Sequence, residues 1–101
     1  MTIFTAVADP RRRQVLDLLL EGERTVGAVV EALDLAQPTV SQHLKVLREE
    51  GLVEVRAEAN RRVYRLRPAA LLDLDAWLEP YRRLWSARLD ALETHLDGDP
   101  T

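Results

Sequence analysis

The fold is decided by residues 37–53, which read QPTVSQHLKVLREEGLV. Val40, Leu44 and Leu47 recur at intervals of four and three, which is the spacing of one buried helix face. Pro38 lies near the start of this pattern and Gly51 lies at its end, as expected for the two termini of a helix. The stretch therefore predicts a helix that packs through one apolar face and exposes the other.

The exposed face of this helix is made of small or polar side chains, with His43 at the core boundary. Such side chains can donate hydrogen bonds to base edges and accept them. The helix N-terminus directs a positive dipole toward phosphate, whereas Glu49 and Glu50 at the other end repel it. An ordinary solvated face would have the same composition. The candidate DNA-reading residues are Gln37, Thr39, Ser41, Gln42, His43 and Lys45.

Downstream of this helix the apolar period changes from 3.6 to 2, over residues 52–56 and 63–67. The pattern predicts a β-hairpin joined by residues 58–61, with Asn60 adopting the positive φ of the tip. Arg61 and Arg62 lie at or beside this tip, where exposed ion pairs add little to folding. They favour contact with a sugar-phosphate backbone or a narrow minor groove, although a solvated charged turn is the alternative.

Upstream, three further helices are predicted. A short apolar segment precedes Asp9-Pro10, an N-cap and first-turn pair. The helix that follows carries an apolar stripe (Val15, Leu16, Leu19 and Leu20) and ends at Gly22, and Thr25 caps the next. Arg12 lies in a basic run at the first of these caps, where either a phosphate or a nearby carboxylate could neutralise it. Two helices joined by the short break 34–36 and followed by a hairpin indicate a mainly α winged helix-turn-helix of order α-α-α-α-β-β-α.

The last predicted helix runs from about Ala69 to His95 and carries a near-heptad apolar stripe. Pro80 is expected to kink this helix or to start a new one. The stripe and the N-terminal segment exceed what one small domain can bury, which favours a dimer, although the aromatic residues could serve the core alone. Residues 1–97 are taken as one domain and 98–101 as a frayed tail. The candidate dimer residues are Phe4, Val7, Leu74, Trp77, Leu78, Tyr81, Trp85, Leu89 and Leu92.

Composition excludes several classes of protein. The 101 residues contain no cysteine and two histidines, and they show neither a glycine-rich phosphate loop nor an evident Ser-His-Asp set. We therefore expect no enzyme, no cofactor and no metal ion. The absence of a long apolar run and of a signal peptide predicts a cytoplasmic protein without a membrane partner. The net charge is −3, but residues 51–67 hold five arginines against two glutamates, a local charge of +3 that suits an anionic partner.

Three segments resemble the ArsR/SmtB family of bacterial winged-helix repressors: ADPRRRQVL (8–16), residues 37–53, and RVYRL (62–66). The resemblance runs from about residue 4 to residue 96, and the helix-to-wing stretch is its specific part. It implies a homodimer joined through the first and last helices. Such a dimer would bind double-stranded operator DNA of imperfect twofold symmetry and block its own operon until an effector releases it.

The chain departs from the metal sensors of that family. Those sensors carry a Cys-x-Cys pair near the third helix, or Asp and His ligand sets on the last one. Here the third helix has no thiolate or imidazole, and His95 lacks a second histidine at ligand spacing. The segment from Trp77 to Trp85 (Trp-Leu-x-Pro-Tyr-Arg-x-x-Trp) resembles the metal-independent branch. The resemblance implies a protein that is autoregulatory or is controlled by a partner protein or an unidentified signal.

The sequence thus predicts a dimeric, sequence-specific DNA-binding repressor of its own or a neighbouring operon, with a protein or a small molecule as effector. Two alternatives remain open at this point. One is an effector- or metal-gated sensor whose site forms between protomers. The other is a winged-helix protein-interaction module that does not bind DNA.

Overall fold

The computed structural model describes residues 2–98. Its elements are α1 (Ile3–Ala8), α2 (Pro10–Glu21), β1 (Arg24–Thr25), α3 (Val26–Leu33), α4 (Gln37–Glu49), β2 (Val53–Glu58), β3 (Arg61–Leu66), a 3-10 turn (Pro68–Ala70) and α5 (Leu71–Gly98). Helices α3 and α4 form the helix-turn-helix, and β2 and β3 form the wing. The predicted mainly helical winged helix-turn-helix is confirmed.

Side-chain caps set the helix boundaries where the sequence predicts them. The Asp9 carboxylate accepts a hydrogen bond from the backbone N–H of Arg11 at 2.8 Å. The Thr25 hydroxyl accepts one from the backbone N–H of Ala28 at 3.2 Å. Asp34 adopts the left-handed conformation (φ 52°, ψ 47°) that ends α3, and α4 begins three residues later. The side chains of Asp9 and Thr25 thus each satisfy a backbone N–H that has no partner inside its own helix.

The sheet differs from the prediction in two respects. It has three antiparallel strands in the order β1-β3-β2, and the two-residue β1 is too short to show an alternating pattern. The wing ladder extends to the pair Glu58–Arg61, which leaves Ala59 and Asn60 as the turn. The positive φ of the turn falls on Ala59 (57°), so the expectation for Asn60 was wrong. The longer ladder shortens the turn and moves the left-handed residue to its first position.

The core lies between α2, α3, α4 and the base of the wing. Val40, Leu44 and Leu47 are fully buried, as predicted. One predicted stripe position was wrong, since Leu20 is 75% exposed, and Val46, which lies outside the predicted buried face of α4, is only 9% exposed. Neighbouring elements therefore bury only part of the predicted apolar stripe of α2, whereas they bury a wider face of α4 than the sequence predicts.

Helix α5 is continuous over 28 residues and contains Pro80, so the alternative in which Pro80 starts a new helix is wrong. The kink stays a prediction. The helix begins at Leu71, because the 3-10 turn occupies residues 68–70, and it includes Gly98 from the predicted tail. The rest of that tail, residues 99–101, lies outside the described residues. Over the described part of the chain, no helix combines the length and apolar character needed to cross a membrane.

Candidate nucleic-acid interface

The outward face of α4 is exposed as predicted. Its side chains stand opposite the buried Val40, Leu44 and Leu47, which anchor the helix to the core. His43 is half-buried at the boundary between the two faces. The placement is confirmed, whereas base reading stays a prediction. The exposed residues are Gln37, Thr39, Ser41, Gln42 and Lys45.

The N-terminus of α4 is open to an anionic partner. Its N-cap residue is Ala36, whose side chain cannot accept a hydrogen bond from the first turn. Pro38 removes one backbone donor, and the remaining N–H groups of the first turn have no capping side chain. Such N–H groups, together with the helix dipole, favour a phosphate.

The two faces of the wing differ because side chains alternate along a strand. Arg62 and Tyr64 lie on one face of β3, opposite Ala57 and Val55 of β2. Tyr64 is 8% exposed and belongs to the core cluster beneath α4. Arg62 and Tyr64 also line one cleft together with Lys45 and other residues of α4, so the face that carries Arg62 is turned toward the recognition helix.

The other face of the wing carries a network of ion pairs. Arg56 donates to Glu23, in the loop before β1, at 2.6 Å and to Glu58 at 2.8 Å. Arg65 is paired with Glu54, and Arg61 lies 4.0 Å from Glu58. The hydrogen bonds from Arg56 lower the pKa of Glu23, and those to Glu23 and Glu58 raise the pKa of Arg56. The charges of this face are largely matched within the chain.

A cleft of about 650 Å³ separates α4 from the wing. Lys45, Arg48 and Arg62 line it, and Glu49 is the carboxylate there. Within residues 2–98, none of these three cations forms an ion pair. The cleft is thus a positively charged channel between the recognition helix and the wing. Arg48 was not among the predicted site residues, although it lies three residues after Lys45, on the same side of the helix.

Arg12 is not among the residues that line this channel and lies in the first turn of α2. Its side chain is 13% exposed and is paired with Asp9 at 3.5 Å. Burial raises the pKa of Asp9, but the backbone N–H groups of Arg11 and Arg12 outweigh it, so the pKa is lowered. The carboxylate partner that the sequence left open for Arg12 is present. A phosphate contact by Arg12 stays a prediction.

The predicted dimer residues form one exposed apolar surface on α1 and α5. Phe4 contacts Trp77 with ring centroids 5.7 Å apart, and Trp77 contacts Tyr81 at 4.9 Å. Trp77, Tyr81 and Trp85 are 53%, 55% and 66% exposed, so the alternative that they serve the core alone is wrong. Val7 and Leu74 are half-buried at the edge of this surface, and the other members are exposed: Phe4, Leu78, Leu89 and Leu92. An exposed apolar surface to which nine side chains contribute is typical of an interface with another molecule.

Over residues 2–98, no three histidine, aspartate or glutamate side chains come together in a group that could hold a metal ion.

A helix-turn-helix with an exposed polar second helix, flanked by a wing, defines a winged helix-turn-helix DNA-binding protein. The family profile described as "Bacterial regulatory protein, arsR family" matches residues 9–55. The regulator Rv2034 of Mycobacterium tuberculosis is 39% identical over 100 residues, which is 97% of this chain and 91% of that protein. The transcriptional repressor SdpR of Bacillus subtilis is 32% identical over 76 residues, 75% of this chain and 84% of that one.

Solved structures agree with these relatives. The homodimeric winged helix-turn-helix DNA-binding domain of Mb0332 from Mycobacterium bovis superimposes with a TM-score of 0.61 at 35% identity, over 96% of this chain and 81% of that one. The chain belongs to the ArsR family of bacterial regulatory proteins. It is a transcriptional regulator and not an enzyme.

Proposed function

We propose that this chain is a homodimeric, sequence-specific repressor of its own or a neighbouring operon. The observation that carries the proposal is the positively charged channel between α4 and the wing, which continues the exposed polar face of α4. A duplex whose major groove receives α4 would place a phosphate backbone along this channel. Bacterial operators lie in the cytoplasm, so the proposed site of action is the cytoplasm.

The proposed contacts divide by type. Gln37, Thr39, Ser41 and Gln42 read base edges from the first two turns of α4, with His43 at the edge of this surface. Lys45, Arg48 and Arg62 neutralise the backbone beside them. Arg61, on the matched face of the wing, makes a weaker contribution because Glu58 is its neighbour.

The proposed dimer forms through the apolar surface of α1 and α5. The Mycobacterium bovis neighbour, described as homodimeric, supports the dimeric state. A twofold axis would set two copies of α4 about 34 Å apart, which is one turn of B-DNA. The operator is then expected to have imperfect twofold symmetry, and an effector, protein or small molecule, would act by changing this spacing.

The test begins by selecting bound fragments from the host genome with the purified protein. Fluorescence anisotropy then measures affinity for the selected site and for a random duplex over a range of salt concentrations. If the dimer neutralises about eight phosphates, log K should fall with log salt at a slope near −7. Lys45→Ala should flatten this slope by about two, counting both protomers.

A reporter driven by the selected promoter gives the sign of regulation, and repression predicts higher expression when the gene is deleted. Failure to bind any duplex at low salt would favour the protein-interaction alternative. An affinity independent of salt would contradict the proposed backbone contacts.

A further inference from the structure

An apolar cleft that the proposed DNA contacts do not use is lined by residues of α1, α2, β3 and α5. Its volume is about 330 Å³. Leu20, whose apolar side chain is 75% exposed, is one of its walls. Five aliphatic residues from four elements and two charged residues line it: Val7, Leu16, Leu20, Leu66, Leu71, Arg13 and Asp17.

The outer half of α5 has the opposite property. From residue 81 to residue 96, every side chain of this helix is exposed. Leu89, Leu92 and Leu96 follow one another at helical spacing, so they form one apolar ridge. The projecting helix makes the chain 67 Å long with a radius of gyration of 18.7 Å, against about 13 Å for a compact chain of 100 residues. The chain thus has an unfilled apolar cleft and an apolar ridge that contacts nothing in its own core.

We propose that the cleft of each protomer binds the apolar ridge (Leu89, Leu92 and Leu96) of a second copy of this chain. The inference rests on the homodimer proposed above and names a contact within it. A twofold interface is made of the same patches on both copies, so each copy supplies one cleft and one ridge. Two such contacts would lock the dimer at both ends of the paired helices.

An antiparallel pairing of two α5 helices fits this arrangement. It brings the end of one helix beside the start of the other, and Leu71, the first residue of α5, lines the cleft. The cleft also continues the surface of Phe4 and Trp77, because Val7 on α1 borders both. A helix of 28 residues is about 42 Å long at 1.5 Å per residue, so the two bodies would lie at opposite ends of the paired helices.

The contact would link dimer formation to DNA reading through α2. Helix α2 contacts α4, and its Val15 and Leu19 are buried in the core cluster that also contains the buried residues of α4. The same helix presents Leu16 and Leu20 to the cleft. A ridge seated in the cleft therefore presses on the helix that supports the recognition helix.

Two substitutions that introduce a charge test the contact. Leu20→Glu alters the cleft and Leu92→Glu alters the ridge, and both side chains are exposed in the protomer, so folding should be preserved, as circular dichroism can verify. Sedimentation equilibrium should show that each variant weakens the dimer by about 100-fold, because an unpaired carboxylate would be buried in the interface. Leu72→Glu is the matched control, since Leu72 is 65% exposed. At about 100° per residue it lies about 160° around the helix axis from Leu92, so its substitution should leave the dimer unchanged.

Mixing the two variants gives the sharper result. A heterodimer of Leu20→Glu with Leu92→Glu keeps one intact cleft and one intact ridge in contact with each other. It should therefore form more tightly than either homodimer, and native mass spectrometry of the mixture would show it in excess over the statistical share.

Two results overturn the inference while the proposed function stands. One is a Leu20→Glu dimer of wild-type strength that binds DNA normally, which would leave the cleft to some other occupant such as a small apolar molecule. The other is a mixture without preference for the heterodimer. A wild-type chain that is monomeric at micromolar concentration would instead contradict the proposed function itself.

Discussion

At the scale of single residues, Gly27 is a position where stability can be gained. It lies in the first turn of α3, and no neighbouring atom comes within 4 Å of the point that a Cβ would occupy there. Gly27→Ala should raise the free energy of unfolding by about 0.5–1 kcal/mol, because alanine loses less backbone entropy in a helix. Urea unfolding followed by circular dichroism measures the difference.

Gly51 provides the matched control for that substitution. Its φ of +75° lies in the left-handed region at the end of α4. Gly51→Ala should therefore lower the free energy of unfolding, by about 1 kcal/mol. Equal effects of the two substitutions would show that backbone conformation does not decide the outcome.

Burial of single residues was predictable where one helix face meets one core. Val40, Leu44 and Leu47 obey this rule. Leu20 and Val46 do not, because their exposure depends on which neighbouring elements cover them, and a periodicity of 3.6 contains no information about neighbours distant in the sequence.

At the scale of the wing, the two faces should behave differently in DNA binding. Arg62 lies in the channel beside α4 without an ion pair among the described residues, whereas Arg65 is held by Glu54. Arg62→Ala should flatten the plot of log K against log salt by about two, counting both protomers, and Arg65→Ala should change it little. Anisotropy titrations of the three proteins on one operator distinguish them, and equal slopes for both variants would contradict the assignment of faces.

The attachment of the wing to the body should depend on pH. Arg56 lowers the pKa of Glu23 below its ordinary value of 4.5. A carboxylate with a lowered pKa in the folded state stabilises that state above its ordinary pKa, and the contribution is lost as pH falls through the lowered value. Wild type should therefore be more stable than Glu23→Gln near neutral pH, and the difference should disappear in acid.

Thermal unfolding of both proteins between about pH 7 and pH 3 measures that difference. Glu21→Gln is the control, since Glu21 is 71% exposed and only weakly paired with Arg24 at 3.6 Å. A stability gap that persists in acid would mean that the charge of Glu23 is not what holds the wing.

Elements were predictable where signals were local. The caps at Asp9 and Thr25 and the alternation of the wing strands act over a few residues. Strand β1 and the pairing of Glu23 with Arg56, 33 positions apart, depend on how the chain folds back. The sequence therefore indicated which residues of the wing are basic but not which of them are neutralised.

At the scale of the whole molecule, the two tryptophans report on assembly. Trp77 and Trp85 are the only tryptophans of the chain, and both lie on the apolar surface of α1 and α5. Dimer formation through this surface should shift their fluorescence to shorter wavelength, and dilution should reverse the shift. The Leu92→Glu variant should show the long-wavelength emission at every concentration. A dimer with concentration-independent emission would place the interface elsewhere.

The apolar surface was predictable from the sequence, because a chain of this length cannot bury all the apolar residues of the near-heptad stripe in its own core. The cleft beside Leu20 was not, because its walls come from four separate elements. Only the folded arrangement of α1, α2, β3 and α5 brings these walls together.

The face of the wing that carries the ion pairs also affects the affinity of such a protein for DNA. Arg56 and Arg65 already have glutamates as counterions inside the molecule, so they release no sodium from a duplex. The strength of DNA binding then depends on the glutamates that pair with these arginines as well as on the cations of the channel. Glu54→Gln would release Arg65 from its ion pair and so strengthen nonspecific DNA binding, although it adds no basic residue.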